Sequence, residues 1–263
     1  MTKIVVLVKE VPDAAVQKKV GADGRLDRSG EKTLNPFDTH AIEAALQLKE
    51  SGALEVDEVV AITVGPAGAE KALHKAVSLG ADRSIHLADD ALAGSDVVAT
   101  GYALAELVKR ESPDLVLLGQ QSDDGQSYAV GAVVAEYLGW PGLTQVIKLD
   151  VSGTELTCER QAEYGYDTVK VQLPAVISVG DAINEPRYPS LKAIMGAKKK
   201  PLEKLTIADA GIDASKVGAE GSKAKWQSAK EPPAKAAGTI IEDEDTAKTV
   251  EQIVAWLDER KLI

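Results

Sequence analysis

The chain has 263 residues and sets 30 Lys+Arg against 41 Asp+Glu, a formal charge of −11. That length is ample for a buried core, and 44% hydrophobic residues argue against wholesale disorder. The negative balance disfavours attraction to nucleic acid or anionic lipid, and a single cysteine, Cys158, excludes an intrachain disulfide or a multi-thiolate metal site.

No stretch approaches the roughly 18–20 apolar residues that cross a bilayer, so stable membrane insertion is not expected. Met1-Thr2-Lys3 runs straight into Ile4–Val8 with no cleavage pattern after it. The expected compartment is therefore the reducing cytoplasm of a prokaryote, ahead of a mitochondrial matrix.

In chain order, Ile4–Val8, Val59–Val64, Ser84–Leu87 and Leu115–Leu118 are short β-rich runs. Helix-period segments at about 39–50, 69–79, 95–110 and 126–138 lie between or after them. Asn35-Pro36 supplies a helix cap followed by proline in the first turn, and Gly80 a helix stop. The alternation predicts an α/β domain over 1–182, a Rossmann-like open and mostly parallel sheet with flanking helices. After about 144 the pattern changes. Strands at 154–161 and 168–173 flank the turn Glu163-Tyr164-Gly165-Tyr166, and Ala175–Val179 follows, which predicts a hairpin extension returning to the sheet. Pro186 and Pro189 then forbid regular helix or central strand. Residues 208–238 hold almost no large apolar residue besides Trp226 and cannot fold alone, yet 246–260 regain a helix pattern with Val250, Ile253, Val254 and Leu257 on one face. The expected organisation is the 1–182 domain, a 183–204 segment, and a long 205–263 C-terminal arm ending in a helix.

In open parallel sheets, ligands bind beyond the carboxyl ends of strands, here Leu7 to Lys9, Val64-Gly65-Pro66, and Gly119. The last begins the small, polar loop Gly119 to Ser127, which leads into a helix and leaves backbone N–H groups for an anion. Asp123 and Asp124 count against phosphate unless they cap the helix or face ribose hydroxyls, so an ordinary loop and a nucleotide site both stay open. Neither a Walker phosphate loop nor Gly-x-Gly-x-x-Gly is present. His40, His74, His86 and Cys158 read as structural, and no metal site is expected. The segment 183–200 places Leu191, Ile194 and Met195 at helical spacing between basic clusters, which suits either a surface loop or a transient protein contact. Residues 184–204 carry six basic and two acidic side chains, +4 within a chain of −11.

That segment, Asn184-Glu185-Pro186-Arg187-Tyr188-Pro189-Ser190-Leu191 with Ile194-Met195-Gly196-Ala197-Lys198-Lys199-Lys200, resembles the signature of the electron transfer flavoprotein β subunit family. Further similar motifs are Val8-Lys9 with Pro12-Asp13, Asn35-Pro36-Phe37, Gly65-Pro66, Ser78 to Arg83, Leu117-Leu118-Gly119 and Leu173 to Val176. The resemblance covers nearly the whole chain and is weakest in the C-terminal arm.

The resemblance implies a heterodimer with an α subunit, on which the arm docks and which carries most contacts to a redox-active FAD. It implies AMP in the β subunit, or a second FAD as in bifurcating relatives. Electrons would come from flavin-dependent dehydrogenases such as acyl-CoA dehydrogenase and pass to a membrane quinone oxidoreductase, with no catalytic side chain because the flavin does the chemistry. The family's nucleotide contacts fall on Leu7, Asn35, Pro36, Phe37, Asp38, Val64, Gly119, Gln120, Gln121, Ser122, Asp123, Asp124, Gly125, Gln126, Ser127, Tyr128, Ala129 and Val130. Tyr128, Ala129 and Val130 depart from the residues common in the family. So do Ala14 and Gln161, near the family's flavin-domain contacts. Its partner-recognition segment falls on Pro189, Ser190, Leu191, Ile194, Met195, Lys198, Lys199 and Lys200, with Leu191 as anchor. A stand-alone adenine-nucleotide-binding regulatory domain is the alternative from another class. A nucleotide-dependent ligase or hydrolase comes last, because Lys9-Glu10-Val11-Pro12-Asp13 follows the first strand instead of a phosphate loop.

Overall fold

Successive side chains of a strand point to opposite faces, so a run apolar at every position must be covered on both sides. In the computed structural model, which describes residues 2–16, 18–21, 24–225, 227, 233, 238–242 and 244–263, the central strands are covered in that way. Residues 1–228 and 229–263 form two separate units.

The first unit begins with β1 (Thr2–Leu7), the short strands β2 (Glu10–Pro12) and β3 (Lys32–Leu34), and α1 (Pro36–Ser51). Then come β4 (Val56–Val64), α2 (Glu70–Leu79), β5 (Arg83–Leu87), α3 (Val97–Glu111), β6 (Leu115–Gly119) and α4 (Val130–Leu138). The meander β7 (Gly142–Ser152), β8 (Glu155–Ala162) and β9 (Gly165–Gln172) precedes β10 (Ala175–Val179). The short helix α5 (Leu191–Ala197), β11 (Leu202–Leu205) and a single turn, α6 (Gly218–Gly221), complete it.

Among the described residues nine strands form one sheet in the order β11-β5-β4-β1-β6-β10-β7-β8-β9. The pairings from β11 through to β7 are parallel, and only β7–β8 and β8–β9 are antiparallel. Ile4 and Val6 face one buried cluster with α1 and α2, whereas Val5 and Leu7 face another with α3 and α4. The expected Rossmann-like architecture, hairpin extension and terminal helix are all present.

Four strands escaped the sequence reading for physical reasons. In β7, a register irregularity between Val146 and Lys148 and Gln145 at φ 58° leave Leu143, Val146 and Leu149 three residues apart, which hides the strand period. β11 is a charged edge strand, with Glu203 and Lys204 at its centre, inside what reads as a basic loop. The three-residue strands β2 and β3 are too short to show a period.

The arm expected from residue 205 has two parts. Residues 205–225 dock on the sheet, burying Leu205, Ile212 and Val217 beside α3. Gly218 N–H donates to Ser95 Oγ at 2.7 Å, and the backbone N–H groups of Lys223 and Ala224 donate to Asp96 at 2.7 Å. Trp226 lies outside the described residues. In the second unit, α7 (Thr246–Glu259) is capped by Asp245, and none of its residues is buried.

Candidate nucleotide site and exposed helix

From β1 the chain winds outward through β4 and β5, then α3 carries it back across to β6 on the other side of β1. Connections after β1 and β6 therefore diverge, and a crevice must open at their carboxyl ends. A cavity of about 500 Å3 occupies that position. Leu7, Val64, Val97, Leu104, Leu118 and Val130 give it apolar walls, while Lys9, Arg28, Asn35, Asp38, Gln121 and Ser122 line it with polar groups.

Asn35 and Asp38 weld the floor together. Asn35 occupies the N-cap position of α1, but its side chain makes no capping bond. Instead its Nδ2 donates to Asp38 Oδ1 and to Gln121 O, both at 2.8 Å, and its Oδ1 accepts from Asp123 N–H at 3.0 Å. Asp38 also accepts from the backbone N–H of Lys9 at 2.8 Å and of Gly119 at 3.2 Å. Burial pushes the Asp38 carboxyl up to about 7, against the pull of the Asn35, Lys9 and Gly119 donors. Gly119 is required sterically, since a Cβ there would stand 2.6 Å from Asp38 Oδ1 and from the Phe37 carbonyl carbon.

The two loop acids neither cap the helix nor stand unneutralised. Lys9 Nζ and Arg28 Nη2 hold the fully enclosed Asp124 carboxylate at 2.7 and 2.6 Å. Burial raises the Asp124 carboxyl, but Lys9 and Arg28 outweigh it and bring it down to about 2. Asp123 pairs with Lys18 at 2.8 Å. The charge that counted against an anion is thus cancelled by cations from residues 9–28.

The helix expected from residue 126 starts only at Val130, because Gln126 (φ 48°) and Tyr128 (φ 56°) are left-handed. No side chain caps α4 and no acid lies in its first turn. Ala129 N–H donates to Ser127 Oγ at 3.5 Å, while Val130 and Gly131, whose N–H groups have no intrahelical acceptor, line the cavity. Gln121 Oε1 is buried with no hydrogen-bond partner and belongs to the same lining. These groups fit a nucleotide: an amino or hydroxyl group would give Gln121 Oε1 its missing donor, a phosphate would suit the helix start, and the cavity volume falls in the small-molecule range.

Of the expected site residues, Leu7, Asn35, Asp38, Val64, Gly119, Gln120, Gln121, Ser122, Gly125, Ser127, Tyr128, Ala129 and Val130 line the cavity. Pro36, Phe37, Asp123, Asp124 and Gln126 do not. They stand behind it: Pro36 and Phe37 open α1, and Asp123 and Asp124 anchor the loop. Lys9 and Pro66, marked as strand ends, also line it, as do Arg28 and the α3 residues Val97, Thr100 and Leu104. The Asp96 cap before α3 could have pointed to that third wall; no local signal marks Arg28.

The 183–200 segment is clamped at its base. His40 Nδ1 lies 3.1 Å from Asn184 O, and Asn184 Nδ2 donates to His40 O at 3.0 Å. The Arg187 guanidinium makes two hydrogen bonds to the buried Glu43 (2.7 and 3.0 Å) and two to Glu50 (2.5 and 2.9 Å), and its backbone N–H donates to Glu43 at 3.2 Å. Burial raises the Glu43 carboxyl, but Arg187 outweighs it and holds it below the usual carboxylate range. Beyond Pro189, Ser190 caps α5 by accepting from Ala193 N–H at 3.1 Å. Leu191, Ile194 and Met195 stand exposed, Leu191 at 74%. The basic rim is smaller than the sequence suggests. Arg187 serves Glu43 and Glu50, Lys204 pairs with Glu70, and Lys200 donates to Ala81 O, which leaves Lys192, Lys198 and Lys199 without an ion pair among the described residues.

Away from these sites, Cys158 is buried in β8, and burial pushes its thiol up to about 11, so it packs rather than reacts. No helix among the described residues is long and apolar enough to cross a membrane.

The sequence model of the electron transfer flavoprotein domain matches residues 23–210. The electron transfer flavoprotein subunit beta of Mycobacterium tuberculosis (strain H37Rv) is 42% identical over 268 residues, covering all of both chains. That of Mycobacterium leprae is equally similar, and that of Megasphaera elsdenii is 34% identical over 99% of this chain and the whole of the relative. Signature, fold and full-length similarity coincide, and the chain belongs to the electron transfer flavoprotein β subunit family.

Proposed function

We propose that this chain is the β subunit of a cytoplasmic heterodimeric electron carrier. An α subunit would hold most of the FAD and receive the C-terminal arm. Its donors would be flavin-dependent dehydrogenases of the acyl-CoA dehydrogenase type, and its acceptor a membrane quinone oxidoreductase. Bound FAD supplies the electron transfer itself. This chain's residues bind, orient and dock.

The observation that carries the reading is the cavity at the strand-order switch, with its acids neutralised, its helix start uncapped and Gln121 Oε1 unpaired. Those features suit an adenine nucleotide, AMP in this reading, with Asn35 and Asp38 bracing the loop rather than reacting. The phosphate would lie toward the start of α4 and the base among the apolar walls. A second FAD is the competing occupant.

The exposed trio on α5 suits a partner that must bind and leave quickly. Burial of one leucine contributes about 1.5–3 kcal/mol, enough to select a partner without trapping it. Leu191→Ala should therefore slow electron transfer from dehydrogenase to flavin while leaving the flavin absorbance intact; unchanged transfer kinetics would remove Leu191 from the role. Co-expression with the α subunit should give a yellow complex that releases one AMP and one FAD per heterodimer on denaturation. Two FAD would replace the AMP reading. A colourless single chain that binds nucleotide and ignores dehydrogenases would favour a regulatory domain.

A further inference from the structure

Tyr128 sits at φ 56°, in the left-handed region that favours glycine. Bulky residues adopt it only where their surroundings demand it, commonly at ligand clamps. Nothing inside the described chain makes that demand through the side chain: no hydrogen bond, ion pair or ring contact engages Tyr128. The residue is 45% exposed, yet it lines the cavity. The strained backbone thus presents an unpartnered aromatic ring at a chamber with apolar walls from Leu7, Val64, Leu104 and Leu118.

We propose that Tyr128 is a specificity-determining residue whose ring stacks on the base of the bound nucleotide. The inference rests on the nucleotide reading above and goes further, since it assigns selection of an aromatic heterocycle over a bare sugar phosphate to one side chain. Anion contacts from the start of α4 cannot make that distinction, because both ligands carry the same phosphate. Stacking can, and it tolerates any ring substitution that keeps a π-face.

The test uses the intact heterodimer, competing labelled AMP with unlabelled AMP or with ribose 5-phosphate, for the wild type, Tyr128→Phe and Tyr128→Ala. Tyr128→Ala should weaken AMP about tenfold, as expected for one stacked base, and leave ribose 5-phosphate within about twofold. Tyr128→Phe should keep wild-type AMP affinity. An equal loss of both ligands in Tyr128→Ala would assign the residue to loop conformation and overturn the proposal. Unchanged AMP affinity in Tyr128→Ala would also overturn it while leaving the nucleotide site standing. A wild-type complex that takes up no labelled AMP would overturn the nucleotide reading and this inference with it.

Discussion

At the ends of β1 and β6 Asn35, Asp38, Lys9 and Asp124 answer other residues of the chain, whereas on α5 three large apolar side chains stand exposed. The first region is concave and braced through Asn35, Asp38, Lys9 and Asp124. The second is exposed, and the segment that carries it is anchored where Arg187 grips Glu43 and Glu50. The difference teaches that a pre-formed pocket keeps its bracing inside the site, while the docking surface proposed on α5 has its bracing outside the helix, at Arg187. Bracing inside the docking surface would cover the apolar side chains that a partner must reach.

Breaking the cavity at its tightest point should have the largest effect. Gly119→Ala forces a Cβ onto Asp38 and the Phe37 backbone, and should cost about 3 kcal/mol in denaturant unfolding and deplete bound nucleotide. A smaller effect is expected on the other side of the comparison. Arg187→Ala leaves the buried Glu43 carboxylate unpaired and should cost about 2–3 kcal/mol, slowing transfer from the dehydrogenase with nucleotide content unchanged. Loss of nucleotide in that variant would show that the two regions are not independent.

The acid limb sharpens the comparison further. The folded Asp124 value of about 2 lies below its unfolded value near 3.8, so its contribution is fully present above about pH 4 and lost as pH falls through 2. Asp124→Asn should therefore cost about 2 kcal/mol at pH 7, and the gap to wild type should narrow as the pH is lowered toward 2. A gap independent of pH would remove Lys9 and Arg28 as the source. The smallest effect belongs to Leu191→Ala, whose side chain is already in water: its unfolding free energy should stay within about 0.5 kcal/mol of wild type.

Much of this molecule was legible before its structure. The apolar runs and helix periods located β1, β4, β5, β6 and α1 to α4 to within a few residues, because burial on both faces writes a local pattern. The loop after Leu118 is one of three strand ends that the carboxyl-end rule for open parallel sheets singles out as ligand positions. The 183–200 segment was marked from its prolines, basic clusters and apolar spacing. What stayed hidden were meetings between distant residues. Arg28 and Asp124 are 96 positions apart and Lys9 and Asp124 are 115 apart, yet their pairing decides whether the loop repels an anion. Arg187 reads as part of a basic patch until Glu43, 144 positions away, takes its charge.

The sequence by itself determined the alternating α/β architecture and the family, and singled out the Gly119–Ser127 loop and the 183–200 segment as candidate sites. Only the tertiary structure decided that the loop acids are neutralised, that α4 begins late and uncapped, and that the basic rim around Leu191 shrinks to Lys192, Lys198 and Lys199. The physical reason is range. Periodicity and turn chemistry act over a few residues, but a charge's effect depends on which opposite charge the fold brings within about 3–4 Å.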